Sequence, residues 1–327
     1  SSIDVRANKP TDVDWFNEMA TPGWQQRWLE NFTANQTGGM ASEDLVMDGW
    51  TDLSRRIRTK VMSLSPENMT AEKIMEAVED SDFEKMEQIR ARVDTLVEDP
   101  QTAEKLKAWY RQLCKRPCFH DQYLQAFNTP ATVLVDTDGK GVQQITEQGV
   151  MVDGREYELD CLIYASGFEV GTEYKRRAGY DMVGRDGLKL SEKWREGMKT
   201  KHGTHVHGFP NAFIVQPTQG ANLISNVPHN LTESGRTIAM IIKHALDNDK
   251  KQVEVTQQAE DEWIELLLAG AAAAGGGVIG SPDCTPGYYN NEGQDPGPAA
   301  KLNVGYPSGA TAYFKYLDEW RNNGHFE

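Results

Sequence analysis

The feature that most constrains the fold is a short run near the middle of the chain. Cys161, Leu162, Ile163 and Tyr164 are consecutive apolar residues, with Glu158 and Asp160 before them and Ala165, Ser166, Gly167 and Phe168 after. Four apolar residues without polar alternation suit a strand buried on both faces of a parallel sheet. Small residues at the carboxyl end of such a strand let the backbone approach a ligand closely, and open α/β sheets bind ligands there. A core strand ending in an ordinary turn is the simpler reading of the same residues.

The flanks supply the rest of an α/β pattern. Residues 11–113 read as helices. Trp15, Trp24, Trp28 and Phe32 recur at near-helical spacing, and Ser81-Asp82-Phe83-Glu84 has the form of a capping box. Phe83, Met86, Ile89, Val93, Leu96 and Val97 then fall on one helical face. Asp99-Pro100 marks another helix start, read as running through Leu106, Trp109, Tyr110 and Leu113. Strands are expected at 132–136, 143–146, 150–152, 155–164 and 212–215. Glu233 completes a capping box with Asn230, before a helix whose buried face holds Ile238, Ile241, Ile242, Ala245 and Leu246. Further helices are expected at 255–274 and 310–322, separated by a Gly/Pro-rich loop at 280–309.

Charge and cysteine usage narrow the function. A net charge of -15 makes nucleic acid and anionic membrane surfaces poor partners. No apolar segment approaches the ~20 residues that cross a bilayer. Four cysteines without a CxxC pair exclude a zinc ribbon or thioredoxin motif, and their scatter over 327 residues predicts a reducing, cytoplasmic compartment. His202, His205 and His207 lack a nearby carboxylate or thiol to complete a zinc shell, so no metal site is expected. Residues 275–280 formally match GxGxxG. They follow a helix and precede Ser-Pro, the wrong context for a dinucleotide loop, and read as a helix end with a linker.

Two segments carry candidate chemistry. Lys115-Arg116-Pro117 follows a predicted helix end, where two cations complement the helix dipole. Arg116 can alternatively hold a permanent positive charge where an anion forms, with Pro117 stiffening its backbone. Residues 219–228 run from a predicted strand into a predicted helix, and the small polar residues at that helix start suit a flavin or phosphate.

Together these pieces resemble the type I Baeyer–Villiger monooxygenases, flavoenzymes that use FAD, NADPH and O2 to insert oxygen beside a ketone. The resemblance rests on Lys115-Arg116-Pro117 followed by Tyr123 and Phe127-Asn128. It continues in Asp160 to Phe168, with Ser166 where Thr is usual, in Gly208-Phe209-Pro210-Asn211-Ala212-Phe213, Ser225-Asn226 and Glu262-Trp263, and in Tyr288-Tyr289-Asn290-Asn291. The family's two Rossmann glycine loops are not in this chain. The resemblance therefore implies an α/β fold that is the carboxyl-terminal part of a flavoprotein with two dinucleotide-binding domains, for FAD and NADPH. Residues 1–111 would be a helical insert of the NADPH domain, 112–164 its remaining strands, and 165–327 part of the FAD domain, with a mobile loop near 280–309. An amino-terminal half carrying the glycine loops is the implied partner.

The resemblance also implies the site. Arg116 would stabilise the anion formed during oxygen transfer, with Lys115 on the NADPH side. The flavin would be lined by Ala165, Ser166, Gly167, Phe168, Asn226, Val227 and Pro228. Leu223 and Ile224 would line the ketone pocket, and Tyr288 would face both NADPH and substrate. The expected reaction converts bulky or cyclic ketones to esters or lactones. The alternatives are a flavin-containing or N-hydroxylating monooxygenase, which shares the Ala-Thr-Gly type motif but not Lys-Arg-Pro, and a truncated non-catalytic fragment.

Overall fold

In the computed structural model the described residues are 10–37, 41–167, 174–216, 218–221, 226–274, 284–287, 289–295 and 297–324. The first half is helical, and local capping chemistry sets where each helix begins. The Asp12 carboxylate accepts from the N–H groups of Asp14 and Trp15 and starts α1 (Val13–Met19). Gly23, with φ 88°, turns the chain into α2 (Trp24–Gln36), and α3 (Asp52–Met62) follows. Thr70 caps α4 (Ala71–Leu96) by accepting from Lys73 N at 3.3 Å. Asp99 accepts from Thr102 N at 2.9 Å and, with Pro100 in the first turn, opens α5 (Pro100–Leu106) as the sequence predicts.

Two helix expectations are corrected here. Ser81 is no cap: it lies buried inside α4, and its hydroxyl donates to the Ala77 carbonyl at 2.6 Å. Nor does α5 continue to Leu113. Side chains of α4 capture the backbone beyond Leu106 instead. Arg90 Nη1 donates to Ala108 O at 2.8 Å, and Asp82 Oδ1 accepts from Gln112 N at 2.9 Å. Those tertiary bonds replace the helical ladder that Trp109 and Tyr110 would have continued.

The described strands form one antiparallel meander, ordered β1 (Gln144–Ile145), β2 (Gly149–Val152) and β3 (Arg155–Glu158). Asp153 and Gly154 both have positive φ, 49° and 73°, the conformation a two-residue hairpin turn requires. In register, Val150 faces Tyr157. A Cβ on Gly149 would sit 1.9 Å from the Tyr157 carbonyl oxygen, so only glycine fits there.

The strand expected at 155–164 ends at Glu158. Residues 161–164 are not a buried strand: Ile163 is 83% exposed and Tyr164 72%. Among the described residues no strand lies beside them to complete a ladder, so the apolar run has neither hydrogen-bonding neighbours nor a covered face. Residues 132–136 fail as a strand for the same reason, with Val133 75% exposed. Residues 212–215 are also not a strand, although Ala212 and Ile214 pack on the cluster of Leu190, Val206 and Phe209.

The second half holds α6 (Tyr174–Ala178), α7 (Leu190–Lys193), α8 (Val227–Asp247), α9 (Gln257–Ala274) and α10 (Gly309–Asn323). Helix α8 starts at Asn226 rather than after Asn230, so Asn230 and Glu233 form no capping box. Its expected apolar face is not the buried one. Ile242 and Leu246 are exposed, while His229, Asn230, Glu233, Ser234 and Thr237 are buried with Ala245. Helices α2 and α10 cover the polar side: Thr33 Oγ1 lies 2.9 Å from His229 Nδ1, and Arg321 Nη2 donates to Glu233 Oε2 at 2.7 Å. The main apolar core, with Trp263, Leu267, Tyr313 and Leu317 at its centre, joins α9 to α10. Among the described residues no helix is long and apolar enough to cross a membrane.

Candidate active site

The Lys-Arg-Pro segment leaves the helical half through a short 3-10 turn at Gln112–Cys114. Arg116 is exposed, with its guanidinium carbon 5.7 Å from the centre of the Trp50 ring. Trp50 is itself braced edge-on by Phe119 at 5.1 Å. Among the described residues no carboxylate pairs with Arg116. A guanidinium held by a ring face keeps its forked donors available to an incoming anion. The described residues enclose no water-poor cavity around Arg116, whose side chain stays exposed.

Lys115 turns the other way. Its ammonium donates to the Pro286 carbonyl at 2.7 Å and sits 5.9 Å from the Tyr110 ring centre. Pro286 belongs to a turn bound covalently to the same segment, because Cys114 and Cys284 form a disulfide. The other two cysteines, Cys118 and Cys161, are free. Sequence spacing could not pair two cysteines 170 residues apart.

Tyr123 and Phe127 stack edge to face at 5.4 Å. Asn128 is structural: it accepts from Glu98 N at 3.0 Å and donates to Leu96 O at 2.7 Å, closing the end of α4.

Ala165, Ser166 and Gly167 are exposed, and Gly167 has φ +86° with no heavy atom of the described residues within 4 Å of where a Cβ would stand. Phe168, Leu223, Ile224 and Tyr288 lie outside the described residues.

Asn226 caps α8 without a side-chain hydrogen bond, followed by half-buried Val227 and exposed Pro228 in the first turn. Inside that first turn Asn230 is 1% exposed, and neither Nδ2 nor Oδ1 has a partner among the described residues. A buried amide left unpaired costs stability unless something bonds to it. In sequence Asn230 looks like a helix cap, and nothing local to it signals this burial. Trp50 was missed too, since nothing local to it signals Arg116.

Among the described residues no cluster of His, Cys, Asp and Glu is arranged to hold a metal ion, and each of the three histidines has its own surroundings. His202 is buried among Trp263, Tyr316 and Trp320, with Nε2 3.1 Å from the Tyr316 hydroxyl. His205 packs on Phe213, and His207 Nδ1 contacts Val255 O at 2.9 Å. Burial, then the charge of Lys201, pushes His205 down to about 4. A cavity of about 650 Å³ beside Arg185, Lys193 and His207 lies apart from Arg116. Its cations are occupied, Arg185 by Glu254 at 2.6 Å and Lys193 by Glu260 at 2.6 Å.

Among solved structures the chain resembles the polycyclic ketone monooxygenase of Thermothelomyces thermophila, at TM-score 0.82 and 36% identity over 99% of this chain and 53% of that one. A steroid monooxygenase solved with NADP shares the fold at TM-score 0.69 and 19% identity. The fold is thus that of the carboxyl-terminal part of flavin monooxygenases with two dinucleotide-binding domains. No family model matches the chain. A Baeyer–Villiger monooxygenase of Stachybotrys chlorohalonatus is 44% identical over 99% of this chain and 51% of its own length. Pentalenolactone D synthase of Streptomyces exfoliatus is 44% identical over 99% of this chain and 55% of its own. Over nearly its whole length this chain is homologous to the Baeyer–Villiger monooxygenases, and it spans about half the length of these curated relatives.

Proposed function

We propose that this chain works, with an upstream half carrying the dinucleotide glycine loops, as a Baeyer–Villiger monooxygenase. Bulky or cyclic ketones and O2 would become esters or lactones and water, with NADPH oxidised to NADP+. The observation that carries the reading is Arg116, a guanidinium with no carboxylate partner among the described residues, in a Lys-Arg-Pro segment and steadied by Trp50. Anionic species arise when oxygen adds to a carbonyl, and a preorganised cation lowers their energy by several kcal/mol in a dry site. Arginine suits this because it stays charged at any working pH.

The residues present fit the two cofactors. The uncapped amino terminus of α8 and the orphaned amide of Asn230 offer hydrogen bonds to a polar ring edge. FAD, when bound, would supply the oxygen-activating chemistry and NADPH the reducing equivalents. Asn226, Val227 and Pro228, with 165–168, would line the flavin. Lys115 would meet a coenzyme phosphate or ribose as a point charge. Leu223 and Ile224 would give the ketone an apolar wall, and Tyr288 would contact both coenzyme and substrate.

Residues 1–111 and 112–164 are assigned to the NADPH domain and 165–327 to the FAD domain. The net charge of -15 argues against a nucleic-acid partner. We place the protein in the cytoplasm, where a disulfide is more often a responsive bond than a permanent staple.

In the protein with its upstream half, Arg116→Ala should abolish ester formation while NADPH still reduces the flavin. Retained oxygenation in that variant overturns the assignment. Assays of cyclic ketones against tertiary amines separate the reading from amine oxygenation.

A further inference from the structure

Helix α5 stops early because Arg90 and Asp82 of α4 hold the backbone at Ala108 and Gln112. The same two bonds lay residues 109–111 back along α4, and an open cavity of about 490 Å³ lies between them. Phe83, Met86, Trp109 and Tyr110 line it; Met86 is buried, while Phe83 and Trp109 are exposed. Rings left in water favour a ligand that covers them. Charge in the cavity is out of balance by one carboxylate. Arg90 bonds Glu87 at 2.5 Å and Arg111 bonds Glu79 at 3.0 Å, so each lining arginine has its own lining carboxylate. Asp82 has no ion-pair partner among the described residues, and its Oδ1 accepts from Gln112 N. Burial pushes its carboxyl up, against the lowering effects of that N–H, Arg111 and Arg90. A carboxylate that has given up water without gaining a cation attracts one. The rings favour the same sign of charge, and the Arg90 guanidinium already lies 4.6 Å from the centre of the Trp109 ring.

We propose that this cavity binds a small organic cation, an ammonium group carried on an apolar or aromatic body. The ammonium meets the Asp82 carboxylate, and the body lies against Phe83, Met86 and Trp109. An inorganic cation would leave the rings uncovered, and a neutral molecule would leave Asp82 unpaired. The two features together therefore select the amphipathic class. The volume falls within the range of small-molecule sites. Arg116 and ketone chemistry take no part in it, so the site stands whether or not the protein oxygenates ketones.

The test is a calorimetric titration of the protein with its upstream half, at neutral pH, with phenylethylammonium as the probe. Its dissociation constant should be roughly 1 mM or lower. The uncharged 2-phenylethanol should bind about tenfold more weakly, the size of one charge-assisted hydrogen bond. Asp82→Asn keeps an acceptor for Gln112 N, so the variant should melt as the parent does and lose about tenfold in affinity for the probe. Trp109→Leu, at an exposed position, should lose about twofold to fivefold. No saturable binding below about 10 mM, equal affinity for the alcohol, or unchanged binding by Asp82→Asn would each overturn the site. Tyr110 also turns its ring to Lys115, with Nζ 5.9 Å from the ring centre. Displacement of the probe by NADP+ would make the cavity part of the coenzyme's own site and overturn the proposal as well.

Discussion

Trp50 holds Arg116 by a ring face rather than by a carboxylate, and that choice matters chemically. A carboxylate would fix the guanidinium equally well but would neutralise the charge that an anion needs. A cation–π contact at an exposed site contributes about 0.5–1 kcal/mol. Trp50→Leu should therefore slow ester formation about twofold to fivefold, the rate equivalent of that energy. NADPH-driven flavin reduction should be unchanged, and stopped-flow absorbance separates the two steps. Asn230 makes the opposite kind of statement, since its buried amide has no partner among the described residues. Asn230→Leu removes an unpaired polar group, so thermal stability of this chain should hold or rise. Flavin retention in the protein with its upstream half should fall, as read by the flavin absorbance after gel filtration. A variant that loses stability and keeps flavin would refute a ligand role.

Helix α8 shows how an element can bury the face its sequence seems to expose. Its apolar residues follow a helical period, yet Leu246 is 70% exposed. The buried side is polar because α10 offers Arg321 and α2 offers Thr33. Glu233 takes both Arg321 and Arg236, at 2.7 and 2.5 Å, with its side chain 4% exposed. Removing one partner of a buried pair costs roughly 3–5 kcal/mol, because the other charge is stranded. Arg236 softens this, so Arg321→Ala should cost about 3 kcal/mol in urea unfolding. The double variant Glu233→Leu/Arg321→Leu should recover most of the loss. No recovery would place the energy in packing rather than in charge.

At the scale of the whole molecule, buried histidines set the response to acid. His202 and His205 are both held below the ordinary 6.5, first by burial and then by Lys201, His205 at about 4. The unfolded chain therefore takes up these protons before the folded one does. Stability is full above pH 6.5 and is lost as pH falls towards 4, with His205 alone contributing about 3 kcal/mol. Urea midpoints between pH 7 and 4 should fall accordingly, and His205→Gln should flatten the slope. The exposed apolar residues Leu246, Ile163 and Tyr164 also predict that this chain alone binds a hydrophobic dye. Adding the upstream half should displace the dye.

The sequence by itself determined what depends on neighbours along the chain. It placed the Asp99-Pro100 helix start, the meander strands at 144–145 and 149–152, and the long helices near 257–274 and 309–323. It also supplied the Lys-Arg-Pro and Ala-Ser-Gly-Phe motifs, because caps, turns and motifs are written in consecutive residues. Tertiary structure decided what depends on residues distant in sequence. Arg90 and Asp82 stop α5 after Leu106, α10 makes the polar side of α8 the buried one, and Cys284 closes on Cys114. The run at 161–164 marks the boundary between the two. Its apolar character is local, but a strand exists only where another strand lies beside it to share hydrogen bonds.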